Sequence, residues 1–283
     1  MPPSRFTDLT TVSGMPIHYD LDDEHIVRIT IDRPEARNSA DMEHFKLLRE
    51  AWERFDADAD AWVAVVTGVG DAFFTGADLK KYVPEITKYQ KEIAEKGLKE
   101  IDGYRLDDGT KAVLRGAKIW KPIIAAVNGF CTAGGMEMLG GVDIRVACPE
   151  AKFAVMEPKR GLFAGGGTTV RLPRQIPFPL AMEFLLCADL IPADRAYEMG
   201  LLNAVVPRDE LLEKAYEYAR RITANAPLAV QATKQSVWEG LGMHLKDAYK
   251  NESALSSMIF QTEDAKEGPK AFAEKRPPRW QGK

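Results

Sequence analysis

Two glutamates and three glycine-bearing segments are the residues of this chain best suited to chemistry. Glu137 stands three residues after Gly134, on what should be the first turn of a helix, between Met136 and Met138. Glu157 stands just past a short apolar strand, preceded by Val155 and Met156 and followed by Pro158 and Gly161. A carboxyl group in apolar surroundings costs free energy unless it is paired or used. Two that share one pocket raise at least one pKa, because desolvation and like charge both favour the proton. That arrangement suits proton transfer near neutral pH. The glycine segments are 70–80 (GDAFFTGADLK), 127–138 (VNGFCTAGGMEM) and 156–168 (MEPKRGLFAGGGT), each following a strand-like run. Such turns expose main-chain N–H groups that have no partner inside the following helix, and glycine lets a ligand approach them closely. Two amides aimed at one point form an oxyanion hole, with one donor worth roughly 3–4 kcal/mol of barrier.

Each feature alone has a plainer reading. Glu137 is equally an acid favoured by a helix dipole, Glu157 equally a surface-turn residue, and any one glycine segment more simply a tight turn. Their combination carries the weight. Nucleotide sites fit worse: no G-x-G-x-x-G follows the first strand, and Gly165-Gly166-Gly167-Thr168 lacks the G-K-[ST] ending of a phosphate loop.

The elements that must hold these residues alternate strand and helix. Residues 25–32 (HIVRITID) alternate apolar and polar side chains, predicting a strand with one covered face. Met42, Phe45, Leu48, Trp52 and Phe55 recur at helical spacing over 41–55. Residues 62–67 (WVAVVT) and 123–127 (IIAAV) predict strands covered on both faces, and 142–147 and 151–155 two shorter ones. Between Lys80 and Lys121 lies a Lys/Glu-rich excursion, expected to be helical from Val83 to Ile101 and looser around Asp107–Gly109. Most of its charges read as solvated surface, with part of it free to lie over a pocket. After about residue 178 helices dominate: 180–187, 193–199, 210–224, 229–241 and 246–259. This pattern is α/β with a helical C-terminal segment.

Bulk properties narrow the function classes. Of 283 residues, 45% are hydrophobic and 28% charged, and the net charge is −4, which supports neither a nucleic-acid nor a membrane-surface role. No apolar run approaches the roughly 20 residues that span a bilayer. Met1–Thr11 shows no secretion-signal pattern. Three scattered cysteines (Cys131, Cys148, Cys187) fit a reducing, cytoplasmic setting, and four dispersed histidines show no metal-ligand spacing, so no metal site is expected. Cys131 reads as a packed small residue, with no histidine near in sequence to activate it. Met138 and Phe163 read more simply as core positions than as pocket lining.

Several segments, in order, resemble the signatures of the crotonase superfamily, the enoyl-CoA hydratase/isomerase family: 31–38 (IDRPEARN), 74–80 (FTGADLK), 126–129 (AVNG) with 133–137 (AGGME), 153–172, 190–207 and 271–276. The resemblance runs from about residue 15 to 280. It implies a spiral of ββα units over 1–205 carrying an acyl-CoA site, and a helical trimerisation region over 206–283, with a homotrimer or hexamer (a dimer of trimers) as the assembly. It implies that the amides of Ala77 and Gly134 hold the thioester carbonyl, that Ala77, Asp78, Leu79, Lys80 and Gly134 border the CoA substrate, and that Glu137 and Glu157 are the catalytic pair. Coenzyme A would arrive as part of the substrate, with no separate cofactor. The implied reaction is reversible hydration of a 2-enoyl-CoA in fatty-acid or other lipid metabolism. An isomerase or a carnitinyl-type dehydratase is the alternative within the family, and a non-catalytic acyl-CoA-binding protein the alternative outside it. Three departures stand out. The excursion after Leu79 is long, which keeps bulky acyl groups, steroid side-chain thioesters included, among the candidate substrates. Ala133 and Ala164 stand where many relatives have glycine and proline. Lys80 and Lys81 read equally as phosphate contacts and as solvated lysines.

Overall fold

The computed structural model describes residues 16–283; Met1–Thr11, read above for targeting signals, lies outside them. The described residues open with an antiparallel pair, β1 (Ile17–Leu21) and β2 (Ile26–Ile31). The alternating 25–32 run becomes β2, its isoleucines facing the core. A 3-10 turn at Pro34–Ala36 leads to α1 (Met42–Ala57). Asp41 caps that helix by accepting the His44 N–H at 3.2 Å, and Phe45, Leu48, Trp52 and Phe55 form its buried stripe.

Next comes a two-strand step repeated three times. β3 (Val63–Gly68) lies in one sheet and β4 (Ala72–Phe74) in a second; after them come α2 (Tyr82–Lys96), a small hairpin of β5 (Glu100–Ile101) and β6 (Tyr104–Arg105), and α3 (Asp108–Ala112). β7 (Ile123–Val127) and β8 (Phe130–Thr132) repeat the step and lead into α4 (Gly134–Leu139). β9 (Ile144–Ala147) and β10 (Lys152–Ala154) repeat it again, followed by a 3-10 turn at Pro158–Arg160 and α5 (Thr168–Gln175). Further on lie α6 (Phe178–Cys187), β11 (Ile191–Pro192), α7 (Ala193–Glu198) and β12 (Ala204–Val205).

The larger sheet runs β1-β2-β3-β7-β9-β12 and is parallel except for β1; the smaller runs β11-β10-β8-β4, with β11 antiparallel. Each ββα turn thus adds one strand to each sheet, which makes the fold the expected spiral. β3 and β7 are buried on both faces, which accounts for their unbroken apolar runs.

The C-terminal helices are α8 (Leu211–Thr223), α9 (Pro227–Gly240), α10 (Leu245–Ile259) and α11 (Glu263–Ala273). α8 lays Leu211, Ala215, Tyr216 and Ala219 against the larger sheet, packing on β3, β7 and β9. α11, within the expected helical region 206–283, carries Gly268-Pro269 at its middle; its Thr262 cap and the packing of Trp280 over Gly268 hold it helical.

The excursion departs from expectation. Its first helix stops at Lys96 rather than near Ile101, because Gly97 takes a left-handed φ of +62°. Of residues 107–109, expected loose, Asp107 is the N-cap and 108–109 the first residues of α3. Asp108 there is buried and accepts the Arg49 Nε–H at 2.5 Å, so this charge fastens the excursion to α1 instead of facing solvent.

Candidate active site

Two asparagines build the corner where the chain crosses between sheets. Asn38 donates from Nδ2 to the carbonyls of Ala72 (2.7 Å) and Val69 (3.0 Å). Asn128 accepts from the Gly68 N–H at 3.1 Å and donates to the Gly70 and Ala72 carbonyls, each at 3.0 Å. Buried turn groups are satisfied in this way, and the segment after β4 is fixed. Ala40 then bridges it: the Ala40 N–H donates to Gly76 O and the Asp78 N–H to Ala40 O, both at 2.8 Å. In such a bridge the intervening residue points its own N–H the other way. The Ala77 amide therefore faces away from Ala40, and Ala77 lines a cleft.

Gly134, the first residue of α4, lies against this corner. Gly76 has a φ of +85°, and a Cβ there would sit 2.6 Å from the Gly134 nitrogen. The two amide-bearing segments approach this closely only because Gly76 carries no side chain. Among the described residues neither the Ala77 nor the Gly134 N–H donates to another protein group. Ala133, between β8 and α4, holds φ +50° and ψ −116°, a conformation that strains an L-residue.

Glu137 and Glu157 line the same cleft, which measures about 940 Å³. Glu137 accepts a hydrogen bond from the Gly166 N–H, just ahead of α5. Burial pushes its carboxyl above the ordinary glutamate pKa and the Glu157 charge adds to this, while the Gly166 amide, Arg115 and Arg171 oppose it. Glu157 is raised chiefly by burial, against the pull of Arg160. Its Oε2 is buried with no hydrogen-bond partner among the described residues. Both groups are held toward the protonated form.

Of the expected substrate-bordering residues, Ala77, Asp78, Leu79, Lys80 and Gly134 all line the cleft. Asp78 is already engaged on both counts: its carboxylate accepts from Arg33 at 3.1 Å, its N–H donates to Ala40 O and its carbonyl accepts from the Lys81 and Tyr82 amides, so it shapes the cleft rather than offering a free hydrogen-bonding group. Lys81 turns toward Asp41 at 3.9 Å. Met138 is core, fully buried. Phe163 is not: it is 76% exposed and lines the cleft, a correction to its reading as core. Its segment follows the Pro158–Arg160 turn outside any sheet or helix, so apolar type alone misled. Tyr82, Leu106, Gly109 and Thr110 form the wall contributed by the excursion, and Leu162 and Phe163 lie among the other lining residues. Cys131 is fully buried in β8, its thiol pushed far up by burial.

Sequence reasoning left two supporting residues unassigned. A Cβ at Gly166 would overlap the Glu137 carboxylate. Arg171, on α5, donates to the Glu137 main-chain carbonyl at 3.2 Å. Gly166 sat within a flagged segment, but its contact lies 29 residues away in sequence and no local pattern encodes it.

Comparison with known proteins agrees with this architecture. The profile of the family described as Enoyl-CoA hydratase/isomerase matches residues 22–283. The chain is 42% identical over 259 residues to enoyl-CoA hydratase EchA19 of Mycobacterium tuberculosis, covering 92% of this chain and 94% of that one. It is 39% identical over 269 residues to the (E)-benzylidenesuccinyl-CoA hydratase of Thauera aromatica, covering 95% and 100%. A crystal structure of an enoyl-CoA hydratase from Mycobacterium tuberculosis superposes with a TM-score of 0.83 at 37% identity, over 95% of this chain and 99% of that chain. With a family profile spanning nearly its whole length, relatives above 30% identity and the spiral of ββα units in common, this chain belongs to the crotonase superfamily, in the enoyl-CoA hydratase/isomerase family.

Proposed function

We propose that this protein is an enoyl-CoA hydratase, adding water reversibly across the 2,3 double bond of a 2-enoyl-CoA to give a 3-hydroxyacyl-CoA. The observation that carries the reading is the meeting of Glu137, Glu157 and the unengaged Ala77 and Gly134 amides in one cleft. The two amides hold the thioester oxygen and stabilise the enolate that forms as water adds. Polarisation through that oxygen makes C3 electrophilic. Glu137, oriented by the Gly166 amide, takes a proton from the water as it attacks C3. Glu157, biased toward its protonated form by burial, delivers a proton to C2 and is left as a carboxylate. Proton exchange through the bound water resets the pair, and the reverse sequence dehydrates a 3-hydroxyacyl-CoA. Ala77–Lys80 border the CoA portion, with Lys80 toward its phosphates. No separate cofactor enters these steps.

A second point concerns the acyl group. Leu106, Leu162 and Phe163 line the cleft and are 46%, 51% and 76% exposed. An apolar acyl group larger than a short chain covers more of this surface, each Å² buried being worth about 25 cal/mol. The relatives include both a (E)-benzylidenesuccinyl-CoA hydratase and a short-chain-enoyl-CoA hydratase, so the family accommodates either size. For the assembly we propose a trimer or a dimer of trimers, because Leu245, Tyr249, Met258, Phe260 and Phe272 of the C-terminal region are all exposed large hydrophobics. Three unpaired cysteines support a reducing, cytoplasmic location.

The test is direct. Mixing the protein with a graded set of 2-enoyl-CoAs removes the conjugated thioester absorbance and yields the 3-hydroxy product. Tight binding without turnover anywhere in the set would instead mark a silent acyl-CoA-binding protein, and conversion of 3-enoyl-CoA alone an isomerase.

A further inference from the structure

Glu137 is held from two sides. Its carboxylate meets the Gly166 amide, and its main-chain carbonyl meets Arg171, reaching across from α5. The same guanidinium makes two more bonds. Nη1 donates to Val113 O at 3.3 Å, and Nη2 donates to Leu114 O. Val113 and Leu114 are buried residues just after α3, where the wall of the cleft built by the excursion rejoins the core. Leu114 holds a left-handed φ of +61°, rare for a bulky side chain and tolerated only where the surroundings impose it. The fork is given room by Gly140 and Gly141 at the end of α4. A Cβ on Gly141 would lie 3.0 Å from Arg171 Nη1 and 2.7 Å from Leu114 Cβ.

We infer that Arg171 is a positioning residue for the hydration step: its planar fork ties the backbone of Glu137, the base of the cleft wall and α5 into one unit, and its charge favours the Glu137 carboxylate. The inference rests on Glu137 acting as the base. A guanidinium suits this task because its donors lie in fixed directions, whereas an ammonium is a single point. The ionisable groups acting on Glu137 are Glu157 after β10, Arg115 between α3 and β7, and Arg171 itself; the first raises its proton affinity and the two arginines lower it. Removing Arg171 therefore moves the Glu137 titration to higher pH.

The test pairs kinetics with a direct titration of Glu137, read as the 13C-carboxyl NMR signal of glutamate-labelled protein assigned by its loss in Glu137→Gln. In Arg171→Met, kcat falls ~10- to 100-fold through misplacement of the base while KM stays within about threefold, and the Glu137 midpoint moves to higher pH, the direction set by loss of a neighbouring cation. Arg171→Lys keeps the midpoint near that of the unaltered protein yet still loses kcat, because an ammonium on a flexible stem cannot hold the three carbonyls in the fixed directions of the planar fork. An unmoved midpoint in Arg171→Met, or an unchanged kcat in either variant, overturns the inference. Should Arg171→Met fail to fold, the kcat and KM of Arg171→Lys decide it. An unaltered protein that turns over no enoyl-CoA, with the midpoint still displaced in Arg171→Met, counts against the hydratase reading and not against the electrostatic role of Arg171.

Discussion

Replacing Gly166 by alanine adds one methyl group at the place where the site has no room. The new Cβ would lie under 3.0 Å from both oxygens and the carboxyl carbon of Glu137. Gly166 is not among the positive-φ residues, so alanine suits its backbone and the whole effect falls on that carboxylate. Displacing a reacting group by about 1 Å costs roughly 100-fold in rate, equivalent to about 2.7 kcal/mol of barrier. Loss of the amide bond to the carboxylate gives a similar figure, about 1.5–3 kcal/mol for a charge-assisted hydrogen bond. The assay is kcat on a 2-enoyl-CoA in a four-way cycle of native protein, Gly166→Ala, Glu137→Ala and the double variant. Gly166→Ala alone loses about 100-fold. On the Glu137→Ala background the methyl group meets empty space, so it changes kcat by less than about threefold. It also raises stability there by about 0.4–1 kcal/mol, through reduced freedom of the unfolded chain. An equal loss in both backgrounds, or none in either, would refute the idea that Gly166 acts through Glu137.

Other consequences follow from the same geometry. The folded pKa of Glu157 lies above the ordinary 4.5, so the unfolded chain releases its proton first and folding stability falls as pH rises from about 4.5 through the folded pKa. Glu157→Gln should therefore melt higher than the native protein at pH 7 and match it at pH 4 by calorimetry; a lower melting point at pH 7 contradicts the burial argument. Ala133→Gly releases the strain at φ +50°, offset in part by glycine's own entropy cost of about 0.5–1 kcal/mol. Thermal melting is expected to rise by about 2–4 °C, and a fall would show that Ala133 is not strained. Asp108→Ala removes the buried partner of Arg49, which keeps Glu53 at 2.6 Å and Glu50 at 3.2 Å, and should destabilise by about 1.5–3 kcal/mol in denaturant melts, the worth of a hydrogen bond to a charged group, whereas no measurable loss would return Asp108 to the solvated surface. A thiol reagent at pH 7 should modify exposed Cys187 quickly and buried Cys131 only on unfolding; rapid labelling of Cys131 in the folded protein would overturn its assignment as inert packing.

Much of the site could be read before the fold because its geometry is local. Gly134 and Glu137 share one helical turn, and Gly76–Ala77 lies just past a strand, so type and spacing marked the glutamates and the glycine segments, while the resemblance to the crotonase superfamily singled out the Ala77 and Gly134 amides. The strands β2, β3 and β7 declared themselves by period or by unbroken apolar runs. What escaped depends on contacts between distant segments. Gly166 looks like any turn glycine until α4 is folded against it. Arg171 looks like a surface cation until Gly140 and Gly141 open a slot for it. Phe163 has the composition of a core residue, yet its segment belongs to no sheet or helix and faces the cleft. Asp108 lay in a charge-rich stretch whose average character is solvated, and only the approach of Arg49 on α1 buries it.

The central claim is that two carboxyl groups divide the proton transfers across one enoyl thioester. The most direct measurement is kcat on a good 2-enoyl-CoA substrate for Glu137→Gln and Glu157→Gln, variants that keep shape and remove only the ionisable proton. Each should lose about 10²- to 10⁴-fold with KM little changed, since the amides of Ala77 and Gly134 still hold the thioester. Undiminished turnover in either variant would contradict the account.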